Sequence, residues 1–387
     1  MATVTDGYRP MTRFGFLSTY PPPRCGLATF TAALASAICE PGDDVCDIVR
    51  VDDLVPAGPS VNTPSVQVVG DLKPRDPAGR ELAADLLNAT DVVVIQHEYG
   101  IYGGRDGDEI LDLLARIKAP TIVVMHTVLP SPTPHQRSVT TMLGERADAL
   151  VAMTHTAMTL LVDLYDVPPE KVRLIPHGVA WAPTGLASNH VRPTILTWGL
   201  LGPGKGIEWG IRAMALLTDL DPAPVYRVLG QTHPKVVIDQ GEKYRRSLSM
   251  LVDSLGLKGD VQIDGRYRES SELAAEVAAA DLILLPYDSR DQATSGVLVE
   301  AVAAGKLVIA TRFPHSIELL SEGGGVLVDH EHPAQIAEAI REALADPARA
   351  LAAQAVARES ARANSWGVVA ETYKVLASEL ARVGVAG

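Results

Sequence analysis

Three short segments carry side chains that could do chemistry, and each stands between an apolar run and a helical pattern. The first is Thr19–Thr31, TYPPPRCGLATFT. Gly26 sits where a helix opens, so a ligand can approach the backbone and the free N–H groups of the helix end can meet an anion; a proline-rich surface turn would read the same way. The second, Gly199–Gly210 (GLLGPGKGIEWG), sets a single lysine, Lys205, among glycines. It is not a P-loop, because Gly206 follows Lys205 where that motif needs serine or threonine. It is a backbone cradle with one fixed positive charge, or else a glycine-rich turn with a solvated lysine. The third is Asp288–Lys306, DSRDQATSGVLVEAVAAGK. Thr294 and Ser295 are natural N-caps for a helix from about Gly296, and Glu300 lies one turn further on the same side. There a carboxylate can accept two hydroxyl hydrogen bonds from a sugar or ribose, while the N–H groups of Thr294, Ser295, Gly296 and Val297 meet a phosphate. A surface helix whose glutamate complements its dipole is the plainer alternative.

Two further strand ends belong with these. QHEYGIYGG brings Gln96, His97, Glu98 and Tyr99 together; rings stack on apolar sugar faces and carboxylates accept hydroxyls, so the group suits sugar recognition, though an ordinary polar loop has the same composition. His126 ends the run TIVVM. The elements that must position all of these alternate along the chain. Strands are expected at Arg13–Ser18, Val92–Gln96, Thr121–Met125, Thr194–Trp198 and Leu282–Leu285, and helices at Thr29–Cys39, Gly107–Ile117, Gly296–Ala304 and Trp366–Arg382, among others. Runs such as VVVI and LILL are continuous rather than alternating, the mark of strands buried on both faces of a parallel sheet of βαβ units. About thirteen candidate strands are too many for one comfortable sheet. The stretch Pro176–Pro193 lacks any helical or strand period and is rich in proline, glycine and alanine, which makes it the linker. The expected fold is α/β: two Rossmann-like, doubly wound domains facing a central cleft, with ligands outside the carboxyl ends of the strands.

Composition narrows the function classes. The 387 residues carry 34 Lys plus Arg against 47 Asp plus Glu, a net charge of −13, which disfavours nucleic acid and anionic membranes as partners. The three cysteines make no CxxC pair and no metal spacing with histidine, so they are expected as reduced thiols in a cytoplasmic protein. The first residues have no apolar core of a signal peptide, and no apolar run approaches a bilayer span.

The three loops, in this order on two halves, resemble the GT-B fold and the retaining glycosyltransferase family 4 (group 1). VRLIPHGV (Val172–Val179) is similar to the family's approach to its interdomain linker, WGLLGPGKG (Trp198–Gly206) to its diphosphate loop, and Gln292–Glu300 stands at its E-x7-E signature. The resemblance implies residues 1–182 as an acceptor-binding domain, 183–365 as a nucleotide-sugar domain and 366–387 as a helix returning to the first. It implies a hexosyltransferase that moves a hexose from a nucleotide diphosphate sugar to a hydroxyl acceptor with retention, the acceptor being a soluble saccharide or metabolite. Lys205 would contact the diphosphate, Glu300 the ribose hydroxyls, Ser295 and Gly296 the phosphates and sugar. Gly26 would wall the diphosphate site and His126 would lie near the hexose. No metal and no cofactor beyond the donor is expected, and neither nucleic acid nor stable membrane insertion. Two positions depart from the pattern. Gln292 replaces the first glutamate, with Asp291 beside it as the other candidate for that role, and Leu200 replaces an arginine of the diphosphate loop. Arg266, Arg268 or Arg24 would restore the missing charge. A GT-B phosphorylase or disaccharide synthase, and a non-catalytic sugar-nucleotide sensor, remain as alternatives.

Overall fold

The computed structural model describes residues 11–22, 25–40, 42, 44–52, 62–180, 191–321 and 323–385. From the N-terminus the elements are β1 (Arg13–Ser18), α1 (Gly26–Cys39), β2 (Val45–Val51), β3 (Val66–Leu72), α2 (Pro77–Asn88), β4 (Val92–His97), α3 (Glu109–Leu114), β5 (Thr121–Met125), α4 (Pro134–Arg146), β6 (Ala149–Ala152), α5 (His155–Asp163) and β7 (Val172–Leu174). There follow β8 (Thr194–Trp198), α6 (Ile207–Met214), β9 (Val225–Leu229), α7 (Pro234–Gln240), α8 (Lys243–Ser254), β10 (Val261–Asp264), α9 (Ser270–Ala279), β11 (Leu282–Leu285) and α10 (Gly296–Ala303). The last are β12 (Leu307–Thr311), α11 (Pro314–Leu320), β13 (Gly325–Val328), α12 (Pro333–Ala345), α13 (Pro347–Ala363) and α14 (Trp366–Val385).

These elements form two units. One takes Met1–Met153, Ala157–Pro176 and Trp366–Gly387; the other takes Thr154–Thr156 and His177–Ser365. The first holds a parallel sheet of seven strands in the order β3-β2-β1-β4-β5-β6-β7, and the second a parallel sheet of six in the order β10-β9-β8-β11-β12-β13. The valines and isoleucine of β4, like the leucines and isoleucine of β11, have no accessible surface to speak of, because helices cover both faces of each sheet. Each sheet reverses its winding once, between β1 and β4 and between β8 and β11. At such a switch point the loops leaving the two neighbouring strands diverge and open a crevice at the carboxyl ends. The loops that follow β1, β4, β8 and β11 are the segments singled out for chemistry.

The helix α14 belongs to the first unit. Val369, Ala370, Tyr373, Leu376 and Ala377 join a core that includes Phe30, Leu34 and Ile38 of α1. Lys374 reaches Asp44 at 3.0 Å in an ion pair whose side chains are 5% and 7% exposed, and Asp44 in turn accepts the N–H of Thr12 at 2.9 Å. The chain passes between units after Pro176 and returns after Ser365. The two passages run side by side: Val179 bridges Ser365, and its N–H donates to Asn364 O at 2.8 Å. A boundary at 182/183, like Arg24, lies outside the described residues.

Three elements differ from expectation for local reasons. The helix expected from Thr29 starts at Gly26, because the Cys25 thiol caps it, accepting from Ala28 N at 3.3 Å. The helix expected over Gly107–Ile117 is shortened to α3, preceded by a 3-10 turn over Arg105–Gly107; Gly104 just before the turn and Gly107 at its end take φ +82 and +74. The segment Pro234–Gln240, not expected as a helix, forms α7 with proline in its first turn and His233 as its cap. Among the described residues, no helix is long and apolar enough to cross a membrane.

Candidate active site

In the second unit the site grows from the ends of β8 and β11. After Trp198 the chain cannot continue as ordinary backbone. Gly199, Gly204 and Gly206 all take positive φ, +122, +90 and +59, a region that side chains other than glycine's enter at a cost. Two of the close approaches demand glycine on space as well. A Cβ on Gly206 would stand 1.8 Å from Pro286 O, and one on Gly230 would stand 1.9 Å from Gly199 O. The loop is thus pressed on one side against β9's exit, where Leu201 N–H donates to Gln231 O at 2.8 Å, and on the other against β11's exit. There Gly204 O accepts from Asp288 N at 2.9 Å. Lys205 is placed by this folding: its Nζ lies 4.1 Å from the centre of the Tyr287 ring, which stacks on Phe313. The Tyr287 hydroxyl is buried with no partner among the described residues.

The helix α10 starts beside the same loop. A Cβ on Gly199 would meet Val297, in the first turn of α10, at 3.6 Å. Ser295 is the N-cap and its hydroxyl accepts the N–H of Leu298 at 3.3 Å. The N–H groups of Gly296 and Val297 have no partner among the described residues. Gly296 packs so closely that a Cβ there would lie 2.9 Å from His177 Nε2. One turn on, Glu300 is exposed to solvent, yet the protein around it raises its pKa, an effect the Trp198 indole opposes. Burial also raises the pKa of Asp288.

The remaining residues expected in this unit are placed otherwise. The Ser295 N–H is not open to a ligand: it donates to His315 Nδ1 at 2.8 Å. Thr294 is not the cap, and its hydroxyl is buried without a partner among the described residues. The Gln292 side chain turns back on its own loop, its amide donating to Thr294 O at 3.1 Å. Arg266 and Arg268, at the exit of β10, both bind Asp264 Oδ2 at 2.8 Å, and Arg268 also meets Glu276. Their charge is spent locally, and the two guanidiniums hold the Asp264 carboxyl well below its usual range.

In the first unit β4 runs two residues further than its apolar run, so that Gln96 and His97 end inside it with no accessible surface. Burial lowers the His97 pKa to about 4, and neither ring nitrogen has a partner among the described residues. Neither residue presents a surface on which a ligand could rest, which corrects the expectation that both touch a substrate. Glu98 and Tyr99 keep partial exposure. Glu98 accepts from Thr127 Oγ1 at 2.5 Å and the Tyr99 hydroxyl lies 2.6 Å from Thr140 Oγ1. His126 follows β5, donates from Nε2 to Gln96 Oε1 at 2.7 Å and stands edge-on to Phe30. Gly26 opens α1 at an exposed position, with nothing within 4 Å of where a Cβ would be. The sequence reading did not single out His315, His177 or Tyr287. Only the dipeptide His177–Gly178 inside VRLIPHGV stood near a quoted motif.

Residues 184–362 match the family of glycosyl transferases, group 1, and residues 25–180 match glycosyltransferase family 4. Over 367 residues the chain is 31% identical to D-inositol 3-phosphate glycosyltransferase 1 of Catenulispora acidiphila, a match that covers 87% of this chain and 82% of that protein. The chain is a family 4, group 1 glycosyltransferase. The transferase is also 31% identical over 252 residues to D-inositol 3-phosphate glycosyltransferase of Kineococcus radiotolerans, covering 59% of its own length and 56% of that relative's. Two solved structures share its fold. Sucrose-phosphate synthase from Thermosynechococcus elongatus has a TM-score of 0.74 at 18% identity, covering 95% of the transferase and 99% of that chain. HepE of Anabaena, in complex with UDP-glucose, has a TM-score of 0.71 at 15% identity, covering 95% and 100%. The two parallel-sheet units of the transferase are those of the GT-B fold.

Proposed function

We propose that the transferase moves a hexose from a nucleoside diphosphate sugar to a hydroxyl of a small polar acceptor, with retention at the anomeric carbon. The observation that carries this reading is the junction in the second unit. The glycine-walled loop with Lys205 lies against the first turn of α10, whose Gly296 and Val297 N–H groups are open, and Glu300 stands exposed one turn beyond. A cation and a helix N-terminus suit a diphosphate leaving group, and stabilising that charge is the main demand of the reaction. Glu300 is assigned to the ribose hydroxyls. Gln292 is assigned to the hexose. One N–H of its amide is held by Thr294 O, which leaves the second N–H as a donor and the carbonyl oxygen as an acceptor, neither carrying charge. No second carboxylate is assigned as nucleophile, and in our reading the departing phosphate takes the acceptor's proton. In the first unit Gly26 is assigned to the wall of the diphosphate site, His126 to the hexose, and Glu98 and Tyr99 to the acceptor. The presence of UDP-glucose in HepE supports a nucleoside diphosphate hexose as donor, and the relatives named for D-inositol 3-phosphate support a polyol or sugar acceptor.

The test is calorimetry with UDP, GDP and ADP, followed by release of nucleoside diphosphate from the matching sugar donors with and without polyol and sugar acceptors. Absence of binding to all three nucleotides would end this reading. A non-catalytic sugar-nucleotide sensor is the second reading, favoured by the neutral, inward-turned Gln292. Binding without turnover across the acceptors would select it.

A further inference from the structure

The helix α10 begins at a junction that its own sequence caps only halfway. The Ser295 hydroxyl accepts the N–H of Leu298 at 3.3 Å. In a complete capping box the residue at 298 would answer with a side-chain acceptor for the N–H of Ser295. Leucine has none. Ser295 is 3% exposed, so its amide must find an acceptor elsewhere.

That acceptor comes from another element. His315, the second residue of α11, takes the Ser295 N–H on Nδ1 at 2.8 Å. Its own backbone N–H donates to Gln292 O at 3.3 Å. A single residue therefore holds the Gln292–Ser295 turn at both ends, while the Gln292 amide ties the middle to Thr294 O at 3.1 Å. His315 is 5% exposed. Burial lowers its pKa to about 4, with Glu318 opposing and His177 adding to the effect. The ring is neutral near pH 7, and the bond to Ser295 fixes its proton on Nε2. From the other side His177 abuts Gly296, where a Cβ would come within 2.9 Å of Nε2.

We infer that His315 is a positioning residue, supplying from α11 the acceptor that Leu298 cannot and so aiming the first turn of α10 at an anion. It removes the Ser295 N–H from the donor set and leaves those of Gly296 and Val297 as the open pair. The inference rests on the nucleotide reading of that helix end and adds to it the means by which the end is held.

Two substitutions separate the bond from the bulk. His315→Leu keeps an apolar volume and loses the acceptor; His315→Asn keeps a polar atom near the place of Nδ1. Hydrogen exchange of the Ser295 amide, followed by NMR, tests the bond without reference to any ligand. His315→Leu is expected to speed that exchange by about tenfold or more, as a locally opened turn does, with His315→Asn close to the parent. Calorimetry with UDP then tests the consequence: a loss of about three- to tenfold for His315→Leu, the size of one misplaced hydrogen bond, with rescue by His315→Asn. Unchanged exchange in His315→Leu would overturn the clamp. Faster exchange with undiminished UDP affinity, or equal losses of affinity and melting temperature in both variants, would overturn the positioning role. If the parent protein binds none of UDP, GDP and ADP, the nucleotide reading and the anion-facing role fail together, and the exchange result still decides whether His315 caps α10.

Discussion

Replacing Gly206 by alanine should do more damage than any other single methyl group added to the lysine loop. Gly206 holds φ +59 at the start of α6, and a Cβ there would lie 1.8 Å from Pro286 O and 2.9 Å from Pro286 C. The obstruction is backbone at the end of a buried strand, not the tip of a flexible side chain. To reach the 3.0 Å below which real Cβ atoms essentially never come, the two segments must part by about 1.2 Å. The left-handed φ costs alanine ~1–2 kcal/mol. Parting the segments weakens the bonds from Asp288 N and Ser289 N to Gly204 O, now 2.9 and 3.3 Å, each worth ~0.5–1.5 kcal/mol. The expected loss is ~2–4 kcal/mol, or a fall in melting temperature of roughly 5–15 °C for a unit of this size. Lys205 should leave the Tyr287 face with the loop, and UDP affinity should fall by about tenfold or more, the size of a lost charge-assisted contact. Gly204→Ala is the control: φ is +90 there, but nothing lies within 4 Å of its Cβ, so only the backbone cost applies. Thermal melts and calorimetry on the pair decide the matter. Equal melting temperatures for the two variants would refute the argument from crowding.

Other expectations follow from the same structure. Lys205→Ala should weaken UDP binding by ~1.5–3 kcal/mol while changing stability by less than ~1 kcal/mol, since among the described residues the ammonium's close contact is a cation–π pair with Tyr287; unchanged affinity in calorimetry would take the residue out of the site. Gln292→Ala should slow transfer and spare nucleotide affinity, Gln292→Glu should keep or raise activity, and Asp291→Asn, at an exposed position, should be nearly silent; damage from Asp291→Asn in steady-state rates would shift the role to that residue. His97, His177 and His315 are each held at a pKa of about 4 against an ordinary 6.5. The unfolded chain therefore binds more protons between those values, and stability, complete above pH 6.5, is lost as pH falls toward 4, by up to about 3 kcal/mol for each histidine. His97→Leu should flatten that profile in thermal melts, and an unaltered slope would count against it. Of the three cysteines, Cys25 is half-buried while Cys39 and Cys46 are buried with their sulfurs 3.4 Å apart, so a thiol reagent should find one fast site in the native protein and three in denaturant.

What could be read from the sequence was whatever depends on neighbours along the chain. VVVI and LILL announce strands buried on both faces because every residue is apolar, and the interval from Ser295 to Glu300 sets cap and carboxylate on one helix by periodicity alone. The two parallel α/β units follow from that rhythm. Contacts between distant elements left no trace of that kind. His315 meets Ser295 only once β12 and α11 are in place, and Tyr287 meets Lys205 only across the switch point. His97 was read as a loop residue because β4's apolar run stops at Ile95, yet pairing with β5 continues through His97↔Met125 and draws it inside. The Cys25 cap escaped notice because thiols are poor acceptors and rarely cap helices. One signal was present and unused: Asp264 stands two residues before Arg266, close enough to neutralise it.

The seat of α14 bears on how the molecule is made. The first unit to leave the ribosome lacks its last core helix, whose Val369, Tyr373 and Leu376 cover α1, until the whole of His177–Ser365 has been synthesised. At ~5–20 residues per second that interval lasts roughly 10–40 s. Throughout it the flank of α1 that α14 will cover stays bare, and the ion pair between Asp44 and Lys374 has not formed. The second unit, continuous apart from its three-residue segment Thr154–Thr156, can fold while the first still waits. The nascent chain therefore completes its halves in the reverse of the order in which it begins them, and a chaperone that shields apolar surface would find its longest-lived target on α1.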